Sequence, residues 1–573
     1  MNPYTKRQIQ SLSGLWLAIL SVALVIAWRE RVVAHKPAHL MKMADELGWI
    51  GHFHSGLYPN HSNTGLLFSQ TTETGVGVYF CSATGGKKKL ICEQAEKGWS
   101  WQKYGMLGWS PDDHFFACAF PPNDPKQPDE EIIIGNGLSG ERVVTLAADR
   151  KLSELAWLSP GLFAYSFWNG SNHGVAVIEQ KPDGNWVLTK VFKQIGDKDM
   201  TGLAAVSAHS VAWRQGPSLW VMDLADTTPK KIWESHTNKL QAFTYSDKDG
   251  TYDLTCSDET HWYQVRFRPP TPGNPQGTVL DNLTPAGNET TYANLRNDGG
   301  FNTFHINTGV QSPPIDLPWP GLVMSYTMNG DSLYVTGDLT NQPPGIFRYN
   351  LVSKETTCFV SALDHPLKHA QIVGAVTRTF TNSAGKLGHY FVWQPVKLEA
   401  GKKHPLIIGQ TTYNWWLPYP QVAANGGCYF VFVNRPTWWD GLENWGNDVM
   451  QVYEMMAKNP HVDTNQVYLY GMSAETRPLS RLLAEVPTLW QGAILFNPTA
   501  TPDPPVVHIS KILVLDGTAD GNANKRWPDY QDRAVQAGLT VKLALVDGAQ
   551  HVSNSTANEH AKTEQIARFL FGD

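Results

Sequence analysis

A serine hydroxyl becomes a nucleophile when a turn exposes it and a base takes its proton, and one stretch of this 573-residue chain offers that setting. Val467-Tyr468-Leu469-Tyr470 reads as a buried strand, Gly471-Met472-Ser473-Ala474 as a sharp turn, and the residues from Glu475 onward as the start of a helix. A serine on such a turn projects its hydroxyl above the sheet, and the backbone N–H of the next residue, Ala474, can face a developing oxyanion. Ser473 is therefore the candidate nucleophile. The orienting acid and the base should follow at later strand ends, Asp first and His second. Asp520 closes the run Leu513-Val514-Leu515-Asp516-Gly517-Thr518-Ala519-Asp520, and His551 closes Leu545-Val546-Asp547-Gly548-Ala549-Gln550-His551. Asp516 competes as the acid because it stands nearer the strand end. Asp520 is preferred, since a loop position lets its carboxylate reach across to the imidazole.

These groups need a sheet to hold them. From residue 376 to 573 apolar strand-like runs alternate with amphipathic helical segments, which implies a parallel sheet covered on both faces. Residues 50–375 read differently, as short alternating runs separated by Gly, Asp, Asn and Pro clusters. Leu107-Gly108-Trp109-Ser110-Pro111-Asp112-Asp113 lines up with Leu155-Ala156-Trp157-Leu158-Ser159-Pro160-Gly161, their tryptophans 48 residues apart, and looser echoes follow. All-strand units at that spacing predict a β-propeller of six to eight blades.

Composition narrows the function classes. Charged residues are 17% of the chain and the net charge is −6, so no basic footprint for nucleic acid is present. His52 with His54, and His365 with His369, have ligand-like spacings, but no carboxylate motif accompanies them and no metal site is expected. Neither a phosphate loop nor a dinucleotide fingerprint occurs, so no cofactor is expected. Cys81 and Cys92 flank a turn-rich stretch and are either a hairpin disulfide or two free thiols. Residues 11–28 carry no charge and reach roughly 27 Å as a helix, enough to cross a bilayer core. The reading is a tail at 1–10, a transmembrane signal anchor at 11–28 and a linker at 29–49. The bulk of the chain is then exported, periplasmic or extracellular, the alternative being secretion after signal cleavage.

The order of anchor, propeller and α/β-hydrolase domain resembles the prolyl oligopeptidase family of serine peptidases, in its membrane-anchored dipeptidyl-peptidase-like arrangement. Lys402-Lys403-His404-Pro405-Leu406 is similar to the family's K-x-P-L strand, Asn434-Arg435 to its N-x-R region, and Val462-Asp463 with Gln466-Val467 to its lead-in to the nucleophile. Asp516-Gly517-Thr518-Ala519-Asp520 resembles its H-G-x-x-D, with Asp in place of His. The resemblance implies a short peptide substrate, access restricted by the propeller, and a second oxyanion donor near Thr411, for which Tyr413 is the candidate.

Two departures stand out. Glu475 and Thr476 occupy positions where the family has glycines. Glu475 either strains the turn or works in the site, where a carboxylate could bind a substrate ammonium. The segment between Ser473 and Asp520 is also short for the family, which removes part of the usual substrate pocket. Trp415 and Trp416, with Trp438, Trp439 and Trp445, are either core residues or an aromatic wall that partly replaces it. The reading is a membrane-anchored serine peptidase, a homodimer being left open. The alternatives are an esterase on the same triad and a propeller binding or scaffold protein with an impaired hydrolase domain.

Overall fold

The computed structural model describes residues 38–572 apart from short stretches, the longer of which are 96–105, 120–130, 284–291, 308–314, 412–417, 435–444 and 500–508. The segment 11–28 thus lies outside the described residues. Among those described, no helix is long and apolar enough to cross a membrane.

Alternation of apolar and polar residues, punctuated by turn formers, yields seven small antiparallel sheets in succession from Phe53 to Ser361. Each is a meander of four strands, except that three are described in the sheet spanning Tyr292–Trp319. The first strand of the first sheet, Phe53–Pro59, lies beside the first strand of the last, Val323–Asn329, so the sheets close into a ring. Polar turns seal the closure. The Asn329 side-chain amide donates to Asn60 O at 2.6 Å and Asn63 Oδ1 at 2.8 Å, and Asn63 donates back to Asn329 O at 3.2 Å.

The repeat motif does its work between blades. Trp109 Nε1 donates to Tyr58 O of the preceding sheet at 2.7 Å, and Trp157 Nε1 donates to Gly108 O at 3.0 Å. A Cβ at Gly108 would stand 2.9 Å from Leu155 and 3.3 Å from Trp157, which accounts for the glycine before the first tryptophan. The turn carboxylate of Asp113 accepts from His61 N at 2.9 Å, Ser62 N at 2.7 Å and His61 Nδ1 at 2.8 Å. Burial works to raise its pKa, but these hydrogen bonds together hold it below the ordinary carboxylate value.

Cys81 and Cys92 are free thiols, the second of the two readings. Val78 faces Cys92 across the Gly75–Ser82 and Lys89–Ala95 pair, so Cys81 and Cys92 are out of register. Cys81 packs toward the N-terminal helix, while Cys92 Sγ lies 3.6 Å from Cys118 Sγ on the next sheet. Treating the folded protein with oxidised glutathione is expected to join Cys92 to Cys118, giving one linked pair in non-reducing peptide maps. A Cys81–Cys92 peptide would contradict the placement.

The second domain is built on one eight-stranded mixed sheet. Its spatial order is Val376–Thr381, Leu387–Trp393, Tyr429–Asn434, His404–Thr411, Val462–Met472, Gly492–Phe496, Lys511–Gly517 and Val541–Val546. Leu387–Trp393 runs antiparallel to its neighbours, and the remaining pairings are parallel. Helices Trp445–Ala457, Thr476–Glu485 and Ala523–Gln536 cover one face, and Pro418–Asn425 with Thr556–Phe571 cover the other.

Residues 38–48, within the stretch read as a linker, form a helix. Leu40, Met43, Ala44 and Leu47 fall on one helical stripe and are buried with Phe53 and Phe68 of the propeller and Val422 and Ala567 of the sheet domain. Glu46 accepts the backbone N–H groups of Lys368, His369 and Ala370 at 2.8–3.1 Å, and Asp45 takes a 2.7 Å hydrogen bond from His560. The helix is thus a wedge joining both domains.

Candidate active site

Strand Val462–Met472 is fully buried from Val467 on and delivers Ser473 at its carboxyl end, where a single 3-10 turn, Ser473–Glu475, leads into helix Thr476–Glu485. Ser473 has φ of +51°, a left-handed conformation that costs a non-glycine residue about 1–3 kcal/mol and marks a turn held by its surroundings. Gly471 makes the turn possible. A Cβ there would run into the tip of the Leu479 side chain on the following helix, which would have to shift, so glycine suits the close packing of that helix on the strand.

Two further strands deliver the partners. His551 follows Val541–Val546, and its Nε2 lies 2.7 Å from Ser473 Oγ. Asp520 follows Lys511–Gly517, and its Oδ2 lies 2.6 Å from His551 Nδ1. The Asp520 side chain is 7% exposed and the His551 side chain 37%, so the acid is sheltered and the base reaches the surface beside the serine. With Asp520 accepting the Nδ1 proton, Nε2 is left as the acceptor facing the hydroxyl. Asp516 does not take part in this contact: its side chain is buried within the strand and its Oδ1 accepts the Gly517 N–H at 2.8 Å. Five residues beyond His551 the chain meets the propeller, where Thr556 N donates to Thr72 O at 2.7 Å.

The structure brings Ser473, Asp520, His551 and the amide of Ala474 together. Glu475 goes elsewhere. Its side chain is 1% exposed and stands beside the buried Tyr470 phenol, so the substrate-binding role expected of it falls at a buried position. The reason is the direction of the turn, which aims residue 475 at the layer holding Tyr470, Tyr419 and the C-terminal helix. Burial pushes the Tyr470 phenol well above its ordinary pKa, and the Glu475 and Glu559 carboxylates push the same way. Tyr419 donates to Glu559 at 2.7 Å, and the buried Lys562 ammonium stands 4.7 Å from the Phe496 ring centroid in the same layer. Tyr413, Trp415 and Trp416 lie outside the described residues.

Two residues missed by sequence reasoning hold the turn. Thr476 Oγ1 donates to Ser473 O at 2.6 Å, and Thr499 Oγ1 donates to the same oxygen at 3.2 Å. The departure from glycine at 476 was the available signal for the first; Thr499 carries none.

A ring of small sheets precedes an α/β sheet, and serine, aspartate and histidine converge at the strand ends of that sheet. The chain has a prolyl oligopeptidase-like fold. It is similar to the structure of a prolyl endopeptidase at a TM-score of 0.57 and 13% identity, covering 96% of this chain and 94% of that one. Puromycin hydrolase matches at a TM-score of 0.62 and 12% identity, over 92% of this chain and 96% of that one. The acylaminoacyl peptidase of Pyrococcus horikoshii matches at a TM-score of 0.59 and 12% identity, over 91% and 95%. No family model and no curated protein matches by sequence.

Proposed function

We propose that the protein is a serine peptidase that cleaves short peptides, anchored to a membrane through residues 11–28 with the bulk of the chain exported. The observation that carries the peptidase reading is the alignment Ser473 Oγ to His551 Nε2 at 2.7 Å and His551 Nδ1 to Asp520 Oδ2 at 2.6 Å. Ser473 attacks the substrate carbonyl while His551 takes its proton, and the tetrahedral oxyanion meets the Ala474 N–H. The imidazolium, held by Asp520, returns the proton to the leaving amine as the C–N bond breaks. Water then enters by the same route in reverse and releases the acid product.

The structural neighbours are peptidases and a related hydrolase, and the propeller ring beside the site supports exclusion of folded substrates. A fluorophosphonate probe, which reports an activated serine, is expected to label the folded wild type. Peptides of a few residues should slow that labelling by competition, whereas a folded protein at the same concentration should not. Absence of labelling in folded protein would favour the scaffold reading, and competition by simple esters alone would favour an esterase.

A further inference from the structure

Glycines at positions 475 and 476 would leave the residues after the nucleophile free of side-chain interactions. Here Glu475 and Thr476 stand instead, and side-chain bonds add to the backbone bond from Thr476 N–H to Ser473 O that closes the turn. The Ser473 carbonyl oxygen receives the Thr476 hydroxyl at 2.6 Å, the Thr499 hydroxyl at 3.2 Å and the Thr499 N–H at 3.4 Å. Thr499 N is shared, since it also approaches Thr476 Oγ1 at 3.2 Å. Thr476 is wholly buried, so no water substitutes readily for its hydroxyl. Thr499 belongs to the segment leaving strand Gly492–Phe496, which pairs in parallel with the nucleophile strand through Met472 and Phe496. The intervening Asn497 has φ of +41°, so two adjacent strand ends both turn through left-handed residues at the level of this clamp.

One oxygen gathers these donors, and its place in the chain gives them a meaning. The Ser473 C=O and the Ala474 N–H are the two ends of a single planar peptide unit and point in opposite directions. Fixing the carbonyl fixes the direction of the N–H. Hydrogen bonds to the carbonyl also polarise the unit and make its N–H a stronger donor. We propose that Thr476 and Thr499 are positioning residues that clamp the Ser473 carbonyl and thereby aim the Ala474 N–H at the oxyanion, taking over from the glycine turn. The proposal rests on the reading of Ser473 as the nucleophile.

The clamp acts on the transition state, so its loss should appear in kcat with KM little changed. Thr476→Val keeps the shape of the side chain and removes the donor. It is expected to lower kcat for a p-nitrophenyl ester, and the second-order rate constant for fluorophosphonate labelling, by about 10- to 100-fold, within the cost of losing or misaiming one oxyanion donor. Thr476→Ser restores the hydroxyl and should recover most of the rate. Thr499→Val keeps its backbone N–H and should lose less than Thr476→Val. Thermal unfolding separates aim from stability. A Thr476→Val protein that is folded at the assay temperature yet labels at the wild-type rate overturns the proposal, as does a serine variant no better than valine. A wild type that does not label at all refutes the nucleophile assignment instead, and the two failures are distinct.

Discussion

Replacing Ser473 by Ala is expected to lower kcat by about a million-fold and to abolish fluorophosphonate labelling, while the protein stays folded. The size follows from the cooperative nature of the constellation. Without the hydroxyl, His551 has no proton to take from an attacking group held 2.7 Å away, and its bond to Asp520 no longer serves any step. Removing His551 as well should therefore cost little more than removing Ser473 alone. What remains is the contribution of the Ala474 amide and of substrate binding, about 10³- to 10⁴-fold over water. Alanine inherits the left-handed φ of +51° at this position, so the turn's strain is retained rather than relieved. Peptide hydrolysis and thermal unfolding of both variants check the claim. Persistent labelling or turnover in Ser473→Ala would place the nucleophile elsewhere.

The sheet domain was legible because its strands are continuous apolar runs and its catalytic groups sit at their ends. The strand read at Val467–Tyr470 lies within Val462–Met472, the run read as closing on Asp520 contains most of Lys511–Gly517, and the run closing on His551 begins inside Val541–Val546. Helix Pro418–Asn425 carries two prolines in eight residues, a pattern that does not announce a helix. In the first turn, however, an N–H has no helical partner, so proline costs nothing there. The final helix, Thr556–Phe571, is fixed at its start by the Ser555 side chain, which accepts from Asn558 N. The propeller was legible as a repeat through Trp109 and Trp157. The approach of Cys92 to Cys118 was not, because a neighbour on the next sheet depends on how blades stack and not on local register. The same limit hid the clamp. Thr476 and Thr499 are brought together by parallel pairing of two strands, a contact that no local pattern encodes. The inward course of Glu475 was hidden for a related reason: its destination is a layer formed by the C-terminal helix, far along the chain.

Asp520→Asn should cost about 10⁴-fold in kcat, whereas Asp516→Asn should leave kcat little changed. The two aspartates lie four residues apart at the same strand end, and sequence alone lets either serve as the acid. Geometry divides them. Asp520 Oδ2 lies 2.6 Å from His551 Nδ1, while Asp516 Oδ1 accepts the Gly517 N–H inside the strand. An asparagine at 520 keeps the shape but can present its NH₂ group to Nδ1. That favours the proton on Nε2, where it blocks acceptance from Ser473 Oγ, and it removes the charge that stabilises the imidazolium. The loss is thus one of tautomer and electrostatics, with the fold and KM largely preserved. At 516 an asparagine still offers an oxygen to the Gly517 N–H, and any cost falls on stability, about 1–3 kcal/mol if that buried bond is lost. Measuring kcat, KM and unfolding for both variants makes the comparison internal to one strand end. A large kcat loss at 516 with a small one at 520 would reverse the assignment of the acid and require His551 to turn toward the strand.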